Sequence, residues 1–195
     1  MFERFTGIFL IGIVIKLMDD YLDKDIDNLI GKWNITLILK NGIVPYTLVL
    51  LIIALSLNFK EGTAYFFSSY ILGMAYDISK TLPSRLNAWQ ESIIIFILAS
   101  IITTIETIII SILFVFFLQI IDDILDIKND IYIKKNNYII ILGKVNTIII
   151  LLILLLLFLS CFIVKFLYFI TAVFSVYLLF YIIEKYFNRN DIYVN

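Results

Sequence analysis

The sequence contains no histidine, one cysteine and two prolines among 195 residues, and only 16% of its residues are charged. The absence of histidine excludes Ser-His-Asp and Cys-His nucleophile systems and every metal site that needs an imidazole ligand. The single cysteine, Cys161, excludes an internal disulfide. A net charge of -1 gives no reason to expect nucleic-acid binding. The groups left for chemistry are carboxylates, lysine, arginine and tyrosine.

Hydrophobic residues are abundant. They make up 62% of the chain, whereas soluble domains contain about 45–50%. The excess is concentrated in runs of bilayer length, notably 92–121 and 146–165. The sequence therefore predicts an all-α, polytopic membrane helix bundle that forms a single domain over residues 1–195. The expected localisation is the cell membrane.

Polar breaks divide the chain into about seven predicted transmembrane helices. The long run 92–121 is best divided by a turn near residues 103–107. Two helices then place the acidic segments 19–27 and 122–130 on the same side of the membrane. Most lysines and arginines also fall on that side, which the positive-inside rule identifies as cytoplasmic. The predicted helices cover 5–18, 35–57 with a break near Gly42, 63–76, the two halves of 92–121, 139–159 and 163–183.

The acidic residues are clustered. Nine of the 16 lie in two segments, 19–27 and 122–130, which both read DDxLDxxxD at an offset of 103 positions. We call these segments the first and second aspartate motifs. Spacings of three and four place the aspartates on one face of a helix, and Mg²⁺ prefers carboxylate oxygens combined with substrate phosphate oxygens. The motifs predict magnesium ligands at Asp19, Asp20, Asp23, Asp27, Asp122, Asp123, Asp126 and Asp130. The alternative is that both clusters are solvated helix ends.

The first aspartate motif, DDYLDKDID, resembles the NDxxDxxxD motif of the UbiA superfamily of intramembrane prenyltransferases, with Asp19 in place of the usual asparagine. The second resembles the other aspartate-rich motif of that family, and residues 76–80 match its YxxxK loop motif. Full-length members of this family look like bundles of nine helices. By this resemblance, the chain is expected to correspond to the second through eighth of those helices.

This resemblance implies a UbiA-like fold and Mg²⁺-dependent transfer of a prenyl group from a prenyl diphosphate to a lipophilic acceptor, with an aromatic compound as the favoured class. It implies that the aspartate motifs bind the diphosphate through Mg²⁺ on the cytoplasmic side. Asp23 and Asp126 are the expected catalytic residues. The expected substrate-binding residues are Tyr76, Lys80 and Arg85.

Other interpretations stay open. Residues 119–126 also resemble the second DDxxD motif of soluble trans-prenyl diphosphate synthases, but the membrane-length runs favour the membrane family. A non-catalytic or degenerate UbiA-like protein that binds Mg²⁺ or prenyl diphosphate is the alternative function. A cation transporter would need carboxylates at mid-membrane, whereas these lie at helix ends. Lys16 is expected to pair with Asp19 and Asp20, to reach the diphosphate, or to extend to the interface. Glu106 is expected at an outer turn without a functional role.

Overall fold

The computed structural model describes residues 2–133 and 137–191, without the side chains of residues 30, 76, 126, 128–133 and 188–191. The described residues form helices and no β-strand, which confirms the predicted all-α class. In chain order the helices are α1 (Phe2–Ile30), α2 (Thr36–Leu39), α3 (Ile43–Leu57), α4 (Phe59–Gly73), α5 (Ala88–Ile102), α6 (Ile105–Ile133), α7 (Tyr138–Leu142), α8 (Lys144–Cys161) and α9 (Ile163–Asp191).

Four helical segments of the described chain are long and apolar enough to cross a bilayer: Thr36–Leu57, Ile105–Leu125, Lys144–Cys161 and Ile163–Phe187. These spans support a membrane protein. Helix α5 is apolar but has only 15 residues. The larger number of about seven transmembrane helices stays a prediction.

The division of the run 92–121 is confirmed. Helix α5 ends at Ile102 and α6 begins at Ile105, so Thr103 and Thr104 form the turn. The threonines supply the hydrogen bonds that helix ends need. Thr103 Oγ1 donates to the Ala99 carbonyl at 2.7 Å, and Thr104 Oγ1 accepts from the Thr107 backbone N–H at 3.2 Å. The turn therefore forms without Gly or Pro, with one carbonyl and one backbone N–H bonded to threonine hydroxyls.

Other helix boundaries differ from the prediction. Helix α1 continues to Ile30 instead of ending before the first aspartate motif, because that motif is itself helical. The predicted helix 139–159 is interrupted at Gly143, whose φ of +84° ends α7 before α8 begins. The predicted break near Gly42 is confirmed, since a 3₁₀ turn over Lys40–Gly42 separates α2 from α3.

The chain divides into two compact units. Unit 1 comprises Met1–Gly62 and Leu167–Asn195, and contains the first aspartate motif. Its core includes Leu17 from α1, Ile43 from α3 and Val176 from α9. Gly12 permits the close approach of α1 to α9, because a Cβ atom there would lie 3.0 Å from Val176 Cγ2.

Unit 2 comprises Thr63–Phe166 and contains the second aspartate motif. Four phenylalanines form an aromatic cluster. The ring centroids of Phe114 and Phe158 are 4.5 Å apart and edge-to-face, and those of Phe158 and Phe166 are 5.2 Å apart. Phe117 also meets Phe158 edge-to-face. This cluster packs α6, the helix that contains the second aspartate motif, against α8 and the first residues of α9.

We predict that Phe114→Leu lowers the free energy of unfolding by about 1 kcal/mol, because it removes edge-to-face contacts worth about 0.5–1.5 kcal/mol each and replaces them with weaker aliphatic ones. The measurement is denaturant-induced unfolding of the purified protein in detergent. Phe174→Leu is the control, since Phe174 is 67% exposed and should be nearly neutral. Equal losses in both variants would contradict the assigned role of the cluster.

Candidate functional site

The carboxylates of the first aspartate motif have different environments. Asp20 and Asp27 are buried, Asp23 is half-buried and Asp19 is exposed. Lys16 lies one turn before them, with Nζ 2.9 Å from Asp20 Oδ1 and 3.3 Å from Asp19 Oδ2. Lys16 therefore pairs with both aspartates, as one of its expected roles requires. Burial raises the pKa of the Asp20 carboxyl, and the Lys16 ammonium opposes that rise.

The segment after α1 folds back onto the motif through Asn34, which is fully buried. Its amide Nδ2 donates to the Asp20 carbonyl oxygen at 2.7 Å and to Asp27 Oδ2 at 2.8 Å. Its Oδ1 accepts from the Thr36 backbone N–H at 2.8 Å. The backbone N–H of Ile35 also donates to Asp20 Oδ2 at 3.4 Å. The two buried aspartates thus anchor the chain that follows them.

The second aspartate motif is anchored in the same way. Asn137 is fully buried, and its Nδ2 donates to the Asp123 carbonyl oxygen at 2.9 Å. Its Oδ1 accepts from the Ile139 backbone N–H at 2.8 Å. The backbone N–H of Tyr138 donates to Asp123 Oδ2 at 2.6 Å. Asp123 is buried and Asp122 is half-buried, whereas the side chains of Asp126 and Asp130 lie outside the described residues.

The repeat at an offset of 103 therefore extends well beyond nine residues. Helices α1 and α6 each have 29 residues and begin and end at equivalent positions. Asp20 corresponds to Asp123, and Asn34 corresponds to Asn137. Both asparagines lie outside the nine-residue aspartate pattern. Extending the 103-residue comparison past the aspartates would have paired them.

The two motifs differ in their nearest positive charge. The position of Lys16 in the first half corresponds to Gln119 in the second. Gln119 Oε1 is buried without a hydrogen-bond partner among the described residues. The first motif thus contains an internal cation one turn before its aspartates, and the second has a neutral amide there.

The loop after α4 contains the remaining predicted site residues. Lys80 and Arg85 are exposed, and the side chain of Tyr76 lies outside the described residues. Arg85 has a positive φ of 64°, an uncommon backbone conformation for a residue with a side chain. The loop is closed by the Ala88 backbone N–H, which donates to the Lys80 carbonyl at 2.9 Å. This closure keeps Lys80 and Arg85 on one short, ordered loop in unit 2.

Glu91 fixes the same loop from the start of α5. Its carboxylate accepts hydrogen bonds from the Tyr70 hydroxyl and, at 2.7 Å, from Ser84 Oγ. These bonds hold the pKa of Glu91 below its ordinary value of 4.5. A lowered pKa adds stability that is present above the ordinary value and is lost as the pH falls through the lowered one.

We therefore predict that the loop over residues 74–87 becomes less protected as the pH falls below 4.5, the ordinary pKa of Glu91. The measurement is hydrogen exchange of the loop amides, corrected for the intrinsic pH dependence of exchange. Glu91→Gln should flatten this dependence, because a glutamine does not titrate. An unchanged pH dependence in the variant would show that Glu91 does not control the loop.

Carboxylates and cysteine thiols do not form a group of three or more with metal-binding proximity anywhere in the described part of the chain. Anchoring hydrogen bonds instead engage the carboxylates of Asp20, Asp27 and Asp123, and the Lys16 ammonium pairs with Asp19 and Asp20. No family model, curated protein or solved structure matches this sequence. The resemblance to the UbiA superfamily therefore rests on the motif residues alone.

Proposed function

We propose that this protein is a Mg²⁺-dependent intramembrane prenyltransferase of the UbiA type. The observation that carries the proposal is the duplicated aspartate motif, which lies in two helices of equal length and is followed in both by the same asparagine anchor. One acidic helix end is common in membrane proteins. A nine-residue pattern repeated with its hydrogen-bonded surroundings is better explained by a shared chemical task.

The donor set suits magnesium. The motifs offer carboxylate oxygens without nitrogen or sulfur ligands, the combination that hard divalent cations prefer. The proposed magnesium ligands are the aspartates of each motif: Asp19, Asp20, Asp23 and Asp27 in the first, and Asp122, Asp123, Asp126 and Asp130 in the second. Bound Mg²⁺ would neutralise negative charge on a diphosphate leaving group.

The protein groups would bind and orient the substrate. Lys80 and Arg85, with Tyr76, would contact the diphosphate oxygens from the loop in unit 2. The apolar helices would admit the prenyl tail and exclude water from the reacting carbon. In the transfer, the bond between C1 and the diphosphate oxygen breaks, and its electron pair leaves with the diphosphate. A nucleophilic atom of the acceptor bonds to C1, and the acceptor loses a proton.

Product analysis tests this proposal. The purified protein is reconstituted in lipid vesicles with allylic prenyl diphosphates of several lengths, Mg²⁺ and a panel of lipophilic aromatic acceptors. The expected result is a prenylated acceptor, identified by mass spectrometry, that forms only with Mg²⁺. Saturable binding of prenyl diphosphate without any product would favour the alternative, a UbiA-like membrane protein that binds its ligand without turnover.

A further inference from the structure

A cavity of about 210 Å³ lies in unit 1, where α1 meets the start of α3, and we call it the Lys24–Lys40 cavity. A water molecule occupies about 30 Å³ in the liquid, so the cavity has room for a larger polar group. None of the described residues that line it is acidic. Its lining therefore offers positive charge and hydrogen-bond donors, from Tyr21, Lys24, Thr36, Lys40 and Asn41.

The two lysines of this cavity have no charged partner. Among the described residues, the side chains of Lys24 and Lys40 form neither a salt bridge nor a hydrogen bond. In the same helix as Lys24, Asp20 pairs instead with Lys16. Two like charges that line one cavity repel each other, and a bound anion would offset that repulsion. A phosphate group suits this lining, because its oxygens accept several charge-assisted hydrogen bonds at once.

Lys40 retains its side chain in a backbone conformation that favours glycine. Its φ is +46°, a region that residues with a Cβ atom rarely adopt. The equivalent residue of the repeat, 103 positions later, is Gly143, whose φ is +84°. Glycine would therefore satisfy the backbone at position 40 with less strain. The presence of a lysine there indicates that its ammonium group has a use.

The lysine pair is specific to the first half of the repeat. Three further polar lining residues become isoleucine at the offset of 103: Tyr21, Lys24 and Thr36 correspond to Ile124, Ile127 and Ile139. Among the equivalent positions, one lysine is found, Lys144 at the position of Asn41. The helices nevertheless follow one another in the same order in both halves. The shared scaffold does not require the pair, which points to binding as its role.

The cavity lies at one end of a candidate membrane span. Five of its lining residues belong to the span Thr36–Leu57, and the apolar ones, Ile43 and Val44, begin α3. The end of a span lies at the level of the lipid headgroups, and basic pockets beside transmembrane helices bind anionic headgroups. We propose that the Lys24–Lys40 cavity binds a phosphate group, carried either by an anionic lipid or by a free phosphate ion. This binding would be independent of prenyl transfer.

The test uses the full chain in detergent. Native mass spectrometry compares the binding of phosphatidylglycerol, which is anionic, with that of phosphatidylcholine, and calorimetric titration measures the binding of inorganic phosphate. The variants are Lys24→Ile and Lys40→Gly, because the repeat accommodates these residues at the equivalent positions. Lys60→Ile is the matched control, since Lys60 is exposed in the same unit and does not line the cavity. Lys24→Gln replaces Lys24→Ile if that variant does not fold.

We expect each cavity variant to weaken binding by about 10-fold, because each removes a charge-assisted hydrogen bond, and the control to stay within about twofold of the parent. Weakened binding of phosphatidylglycerol assigns the cavity to a lipid headgroup. Weakened binding of inorganic phosphate alone assigns it to a free ion. Parent-like binding in both folded cavity variants, an equal loss in Lys60→Ile, or a parent that binds neither ligand would overturn the proposal.

Discussion

Asp23→Asn should lower the rate of Mg²⁺-dependent diphosphate release by about 100-fold or more, and Asp126→Asn should do the same. Asparagine preserves the size of the side chain but removes the negative charge that a divalent cation needs. Losing about 3 kcal/mol of charge stabilisation in the transition state corresponds to a factor of about 100. The two aspartates occupy equivalent positions at the offset of 103. Their variants should therefore be similarly impaired.

Asp25→Asn is the matched control for this prediction. Asp25 lies at the same end of α1 and is exposed, but it is not a position of the repeated motif. Its replacement changes the net charge by the same amount as Asp23→Asn, so it measures the effect of charge alone. We expect a rate within about twofold of the parent. Equal losses for Asp25→Asn and Asp23→Asn would assign the effect to general surface charge.

Glu61→Gln should lower the free energy of unfolding by about 2 kcal/mol, the largest stability effect we expect from a single charge. Arg4 Nε donates to Glu61 Oε2 at 2.8 Å, and the second guanidinium nitrogen contacts the other carboxylate oxygen. Asn58 Nδ2 also donates to Glu61 Oε2 at 2.8 Å. The Arg4 guanidinium further lies over the Tyr168 ring, 5.5 Å from its centroid.

This cluster joins the beginnings of α1, α4 and α9 within unit 1. Breaking a buried ion pair costs about 3–5 kcal/mol because one charge is left uncompensated. The cost here should be smaller, since the side chains of Arg4 and Glu61 retain 33% and 18% of their exposure. Unfolding in detergent measures the effect, and an intact Glu61→Gln variant with parent stability would contradict it.

Glu106→Gln provides the control for the cluster. Glu106 pairs with Lys165 at 3.4 Å, but its side chain is 75% exposed. Exposed pairs contribute about 0–1 kcal/mol, so this variant should be nearly neutral. Glu106 lies in the first turn of α6, next to the predicted turn; its place on the outer side and its lack of a functional role stay predictions.

The all-α class could be predicted from the hydrophobic composition. The turn after Ile102 could be predicted because it places most lysines and arginines on one side of the membrane. The residues at which several helices end could not be predicted from the sequence. The first aspartate motif is polar, which favours a loop by composition, yet its spacing and the Lys16 pair with Asp20 allow α1 to continue to Ile30. Gly143 interrupts an apolar run in which hydropathy alone gives no boundary.

The aspartates of the candidate site were identifiable because like charges at helical spacing are costly without a cation. The anchors were not, because they depend on contacts between residues 14 positions apart across a turn. An isolated asparagine such as Asn34 has no local pattern that distinguishes it from a surface residue. Asn34 is distinguished only by the equivalent asparagine 103 positions later, Asn137.

The central claim is that metal-dependent loss of diphosphate from a prenyl diphosphate requires both aspartate motifs. The most direct measurement is diphosphate release in vesicles by the parent and by the double variant Asp23→Asn/Asp126→Asn, each with Mg²⁺ and with a chelator. We predict release by the parent with Mg²⁺ and loss of release in the other three samples. Equal release by the double variant and the parent, or release that persists with the chelator, would contradict the claim.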